Sequence, residues 1–123
     1  MTNQSEAQKR SDYRTETSYP IWYRDFSDRG VSSEWVRAVT RDLSGGGASF
    51  DLPDVPPRER KSGDLLEIQV IVPPTPVFAI GRIVRVFQDE RGYWCAGVMF
   101  ASIEPRDKDR IVRAVLSEGV GRP

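Results

Sequence analysis

Two short stretches of this chain carry side chains whose types and spacing could do chemistry. Asp42-Leu43-Ser44-Gly45-Gly46-Gly47 joins a carboxylate, a hydroxyl and three glycines at the predicted junction of two β-strands. Such a turn can bring bare backbone and two short polar groups against a flat, donor-rich ligand such as a guanine base. About 28 residues upstream, Arg10-Ser11-Asp12-Tyr13-Arg14 offers two guanidinium groups. Neither spacing occurs once only. RxxxR recurs at Arg37/Arg41 and Arg106/Arg110, and DxSxxG recurs over Asp25-Phe26-Ser27-Asp28-Arg29-Gly30. Arg106 and Arg110 stand at helical spacing among Asp107 and Asp109, as on a solvated helix face. Arg37 and Arg41 share one side of a strand, where Arg41, beside Asp42, could reach a ligand. Asp25–Gly30 has the residues of an ordinary hairpin turn.

The elements that must position these groups are β-strands. Ile21 and Tyr23 alternate with Trp22 and Arg24, and Pro20 suits a strand start. A second strand over 33–41 places Val36, Ala38 and Thr40 on one face and Trp35, Arg37, Val39 and Arg41 on the other. The glycine-rich turn follows, then a short strand through Ala48, Phe50 and Leu52. Residues 53–63, with three prolines and the charged run Arg58–Lys61, form a predicted solvated loop. Leu66, Ile68, Val70 and Val72 alternate with Leu65, Glu67, Gln69 and Ile71, and Pro73-Pro74 ends that strand. Residues 77–88 form the longest β-rich run, where Gly81 marks a bulge that shifts which side chains face inward. Asp89-Glu90-Arg91-Gly92 is a hairpin turn, and Trp94, Ala96, Val98 and Phe100 mark one face of the last strand. Pro105 opens a helix in which Ile111, Val112, Val115 and Leu116 share a stripe, and Gly119 ends it. The expected fold is mainly β: a six-stranded antiparallel barrel with a C-terminal α-helix. Residues 1–17 hold almost no aliphatic side chain and are expected to form a flexible arm. The barrel and helix span 18–118, and 119–123 make a tail.

At 123 residues the chain fits one domain. Lysine plus arginine and aspartate plus glutamate each total 18, so the formal charge is zero, which argues against DNA or RNA as partner. A small β-barrel could still stack single-stranded bases on Trp22, Trp35 and Trp94, but the missing basic surface weighs against it. Of the 18 cations 15 are arginine, the side chain suited to phosphate forks and to stacking on bases. With no histidine, the commonest general base and most zinc sites are lacking, so neither catalytic residues nor a metal is expected. Cys95, the only cysteine, lies in an apolar strand with no activating neighbour, which excludes a disulfide framework and points to a reducing compartment. No stretch approaches the roughly 20 apolar residues of a membrane span, and the N-terminus is no signal peptide. A cytoplasmic monomer without membrane insertion and without a cofactor is expected.

The RxxxR segment followed by DxSxxG before a run of strands resembles the PilZ domain. The likeness extends to Gly81-Arg82-Ile83-Val84-Arg85-Val86, a GxVxR-like strand, to the GVxF-like Gly97-Val98-Met99-Phe100, and to the charged terminal helix. It covers residues from about 9 to 117. Ala48-Ser49-Phe50-Asp51-Leu52 resembles the small-then-apolar strand that follows the family's DxSxxG, whereas Asp25 lies only 11 residues beyond Arg14, too near for the two intervening strands. The resemblance implies a bacterial receptor for cyclic di-GMP, with motility or biofilm formation among the processes regulated. It assigns Lys9, Arg10, Arg14, Asp42, Ser44, Gly46 and Gly47 to the dinucleotide, with Arg41 and Gly97 as additional contacts. Lys9 stands where many members carry a further arginine; it keeps the charge and loses the planar fork. An arginine fork can donate to both Hoogsteen acceptors of guanine, pair with phosphate, or stack on the base. The Asp42 carboxylate would accept from guanine N1–H and its exocyclic amine. Signalling would run through ordering of the arm to a protein partner. The alternative is a nucleotide-free adaptor of pilus or flagellar machinery, a role some family members fill.

Overall fold

The computed structural model describes residues 18–26 and 33–120. The predicted arm, with Lys9, Arg10 and Arg14, lies outside the described residues, as do 27–30 of the Asp25–Gly30 turn and 121–123 of the tail. Six strands, β1 (Pro20–Asp25), β2 (Val36–Ser44), β3 (Gly47–Asp51), β4 (Leu65–Val72), β5 (Thr75–Gln88) and β6 (Trp94–Ile103), precede one helix, α1 (Pro105–Val120). The strands close into an antiparallel barrel in the order β1-β2-β3-β6-β5-β4. Alternation dictates the interior. Ile21 and Tyr23 of β1 and Leu66, Ile68, Val70 and Val72 of β4 all point inward and are buried. Ile111 and Val115 of α1 complete that core.

Two strands change phase, and both changes matter for the site. Strict alternation from Ala38 and Thr40 would turn Asp42 into the barrel. Instead the register slips between Thr40, paired with Phe50, and Asp42, paired with Ser49, so Arg41 is an extra residue. This one-residue bulge turns Asp42 and Ser44 outward and Leu43 into the core. β2 therefore runs on through Asp42-Leu43-Ser44, three residues beyond the predicted end, and the turn proper is only Gly45-Gly46. In β5 the inward set Val77, Ala79, Gly81, Ile83 continues straight through Gly81. The register slip beside Gly81 leaves the extra residue, Ala101, on β6, so it does not reverse β5 as the sequence predicts. The reversal comes at a second slip between Ile83 and Arg85, where Val84 is the extra residue. Arg85 is thereby exposed and Val86 packs against the core.

Four further expectations change. α1 continues to Val120 rather than stopping at Gly119; one glycine in a helix costs only about 1 kcal/mol. Its apolar stripe is narrower than predicted, with Leu116 exposed and Ile111 and Val115 carrying the contact. Arg110 leaves the solvated face: its guanidinium donates to the carbonyls of Val72 at 2.6 Å, Pro76 at 3.4 Å and Thr75, tying α1 to the β4–β5 turn. The 53–63 loop is not wholly solvated either. The Arg60 side chain is 2% exposed and pairs with Asp54 at 2.7 Å and with Asp25. It lies 5.2 Å from the Tyr23 ring, whose hydroxyl donates to Asp54 at 2.6 Å. Asp25 also binds Arg58, so the first residue of the second DxSxxG match is committed to holding this loop.

Candidate functional site

The registers of β2, β3, β6 and β5 place outward-facing residues in lateral rows. Asp42 pairs with Ser49, Ser49 with Gly97, and Gly97 with Arg85. The adjacent row runs Ser44, Gly47, Met99, Arg82. At the centre of each row a glycine withholds a side chain, and a cavity of about 340 Å³ opens over this bare backbone. Asp42, Ser44, Gly46, Gly47 and Gly97 all line it, so five of the sequence-assigned positions meet in one concavity. Ala48, Ser49, Val84, Arg85, Val98 and Met99 complete the wall. The sequence reading did not assign these six. Their only signal was their place in the Ala48–Leu52, GxVxR-like and GVxF-like stretches, because register rather than residue type brings them to the cavity.

One bank of the cavity accepts hydrogen bonds. Ser49 Oγ donates to Asp42 Oδ2 at 3.0 Å, fixing the carboxylate rotamer. Ser44 Oγ receives the Gly46 N–H at 3.3 Å and donates to the Gly47 carbonyl at 3.4 Å, so the hydroxyl braces the two-residue turn from inside. Phe100 N–H donates to the Gly46 carbonyl at 2.9 Å, anchoring the turn to β6.

The three glycines differ in what they must be. A Cβ on Gly47 would sit 2.2 Å from the Val98 carbonyl oxygen, so the close approach of β3 to β6 requires glycine there. A Cβ on Gly45 would meet Val112 Cγ2 of α1 at 2.8 Å, which places the helix directly against the turn. Gly46 has open space around it. The close approach expected of Gly47 is thus made to the protein's own backbone.

Arg41 does not line the cavity. As the bulge residue it donates through Nε to Asp51 at 2.6 Å and through NH2 to Asp89 at 2.7 Å. Those hydrogen bonds raise its already high pKa further. The Tyr93 and Arg91 N–H groups also bind Asp89 Oδ1, each at 2.9 Å, and these bonds with Arg41 hold its carboxyl below the ordinary range. Arg41 is a brace that holds the bulge and the β5–β6 turn. Cys95 is buried between these elements, and burial raises its thiol pKa, in keeping with an inert strand residue. Among the described residues no group of three or more metal-ligating side chains is placed to hold an ion, and no helix is long and apolar enough to cross a membrane.

A sequence model of the family described as PilZ domain matches residues 8–117. No curated protein matches the chain. Among solved structures it is similar to the Bacillus subtilis inhibitor of motility MotI/DgrA, with a TM-score of 0.77 and 16% identity over 89% of this chain and 50% of that one. It therefore spans about half the length of that protein. The PilZ domain of YcgR from Escherichia coli, solved with c-di-GMP, gives a TM-score of 0.64 at 18% identity, covering 94% and 95% of the two chains. The PilZ domain of CeSA from a cellulose synthesizing bacterium gives 0.59 at 20%, covering 89% and 98%. At these identities the likenesses speak for the fold.

Proposed function

Because the chain belongs to the PilZ domain family, we propose that it is a receptor for cyclic di-GMP and not an enzyme. The observation that carries this reading is the meeting of Asp42, Ser44, Gly46, Gly47 and Gly97 in one cavity on the outer face of β2, β3 and β6. In this reading a guanine edge donates to the Asp42 carboxylate, which Ser49 already orients. Bare backbone at Gly46 and Gly97 lets the base approach closely. Lys9, Arg10 and Arg14 supply the cations for phosphate and for the second guanine edge.

Magnitudes shape the mechanism. Ordering about eight residues around Arg10 and Arg14 costs roughly 1–2 kcal/mol each, while hydrogen bonds to charged groups return only about 1.5–3 kcal/mol apiece. The arginine pair therefore closes over the site only when the ligand also stacks and the segment packs on the barrel. Closure beside the β2–β3 turn, against which α1 rests through Val112, is the signal offered to a protein partner.

Titration calorimetry with NMR is the test. Cyclic di-GMP should bind at micromolar concentration or below, shift the amides of residues 42–49 and 97–99, and protect those of 7–16. Asp42→Ala and Arg14→Ala should each weaken binding at least tenfold with the melting temperature nearly unchanged. No binding by the wild-type protein sinks the reading and leaves the nucleotide-free adaptor in its place.

A further inference from the structure

We propose that the outer face of β1 and β4, with the adjoining parts of β2 and β5, docks an amphipathic α-helix of another protein that carries carboxylates beside its apolar stripe. In the barrel order β1-β2-β3-β6-β5-β4, β1 and β4 lie opposite β6 and β3, the strands that floor the cavity. None of the residues of this face lines the cavity. The docking surface is therefore separate from the nucleotide site and does not depend on the receptor reading above.

The strand sequences ask for a cover on both sides. A strand that meets water on its outer face alternates apolar with polar residues. β5 instead runs Pro76-Val77-Phe78-Ala79-Ile80, apolar throughout, with Val77 and Ala79 buried and Phe78 57% exposed on the outside. Beside it β4 ends Val70-Ile71-Val72, with Ile71 turned outward. Register lines the outward residues up across four strands: Phe78 pairs with Gln69, Gln69 with Trp22, and Trp22 with Arg37. On one flank Ile80 pairs with Glu67 and Glu67 with Arg24. On the other, Ile71 pairs with Pro76, and Pro20 with Val39, which is also exposed.

Charge and size select the occupant. Arg37 is exposed, with Cζ 6.0 Å from the Trp22 ring centroid, and Arg24 Cζ lies 4.2 Å from that of Trp35. These contacts hold both guanidinium groups over the face. Arg24 is also paired with Glu67 at 2.8 Å, whereas no described carboxylate pairs with Arg37. Aromatic side chains and arginine without lysine or aspartate are the composition of an interface centre. A second copy would bring another Arg37 and only a Glu67 already taken by Arg24, so charge calls for a partner with carboxylates of its own. Four strands make the face about 14 Å wide, and about five residues give it a similar length. That area is well short of the roughly 800 Å² per partner of a stable dimer. A single helix, about 10–12 Å across, covers it. The backbones of Trp22 and Phe78 stand two strand spacings apart, about 9.6 Å. Apolar residues seven apart on a helix are separated by about 10.5 Å, so a helix laid along the row seats one on each aromatic. One turn beyond Trp22, a carboxylate meets Arg37.

The test is NMR titration of the full chain with two synthetic helices of about 18 residues that share a leucine stripe, flanked by glutamates in one and by lysines in the other. The glutamate helix should shift the amides of Trp22, Arg37, Gln69 and Phe78 and leave those of 42–49 in place. The lysine helix should bind roughly tenfold more weakly. Phe78→Ser should weaken the glutamate helix about fivefold or more, and Arg37→Glu should invert the preference between the two. Both variants should keep the wild-type melting temperature, since both side chains are exposed. Equal binding of the two helices, shifts elsewhere on the barrel, or no binding at millimolar peptide overturns the proposal. Dimerisation in sedimentation equilibrium that Phe78→Ser abolishes gives the face to a second copy and overturns it as well. A separate titration with cyclic di-GMP keeps the two readings apart, because failure there strikes the receptor alone.

Discussion

Replacing Gly47 by alanine tests whether the site's glycine serves the ligand or the barrel. The new methyl would arrive 2.2 Å from the Val98 carbonyl oxygen and 3.2 Å from Met99 Cα, both main-chain atoms of β6. Neither can rotate away, so β3 and β6 must separate locally by close to 1 Å. Overpacking against fixed atoms costs about 1–3 kcal/mol, and each weakened ladder hydrogen bond adds about 1 kcal/mol. The expected destabilisation of Gly47→Ala is therefore about 2–4 kcal/mol. In a domain of this size that is a fall of roughly 10–25 °C in melting temperature. Gly46→Ala is the internal control. Nothing lies within 4 Å of its added methyl, and its φ is not in the left-handed region, so it should be neutral or stabilise by about 0.5 kcal/mol. Thermal and urea denaturation followed by circular dichroism, without ligand, gives both values. Equal stability of the two variants would refute the reasoning, because adjacent glycines of one motif would then not be distinguished by strand contact.

Arg60→Met should cost about 3 kcal/mol in urea denaturation, since it removes the cation that Asp25 and Asp54 share beside the buried Tyr23; the low end applies because Asp25 keeps Arg58 and both carboxylates keep some solvent. A loss below about 1 kcal/mol would return the 53–63 loop to the solvated state its composition suggests. The hydroxyls of Tyr19 and Tyr23 are held protonated beyond their ordinary range, chiefly by burial and then by donation to Glu118 and Asp54. A folded pKa raised above the unfolded value contributes stability that is complete below the ordinary tyrosine pKa of 10.0 and lost as pH climbs toward the folded value. Chemical denaturation should thus show this contribution level up to about pH 9 and declining above pH 10, and Tyr23→Phe should flatten that decline. Cys95, fully buried with a raised pKa, should react with a thiol reagent only as fast as the protein unfolds; prompt labelling of the native protein at pH 8 would contradict its placement.

Much of the architecture was legible in local patterns. The alternation of Leu66, Ile68, Val70 and Val72 requires a strand with one buried face, and the observed burial follows it residue for residue. Turn residues at Gly45-Gly46 and Asp89–Gly92 delimit hairpins for reasons of backbone freedom that hold in any tertiary context. The carboxylate, hydroxyl and glycines of 42–47 are local to one hairpin, and that proximity survives in the folded cavity. Where a side chain's partner lay far along the chain, the pattern misled. Arg60 and Arg110 were assigned to solvent from charged neighbours, yet their acceptors are Asp25 and Asp54 in one case and the β4–β5 turn in the other.

Two bulges mark the boundary between what the chain encodes locally and what closure imposes. From residue types alone, the chain determined six half-buried strands, a terminal amphipathic helix and a polar glycine-rich hairpin, because burial periodicity and turn chemistry act over a few residues. Whether Asp42 and Arg85 face the core or the solvent depends on one extra residue at Arg41 and another at Val84. Those insertions follow from fitting six strands around one barrel, and a slip of a single residue reverses every side chain beyond it. Only the assembled barrel could set a carboxylate and a guanidinium on opposite banks of a bare glycine floor.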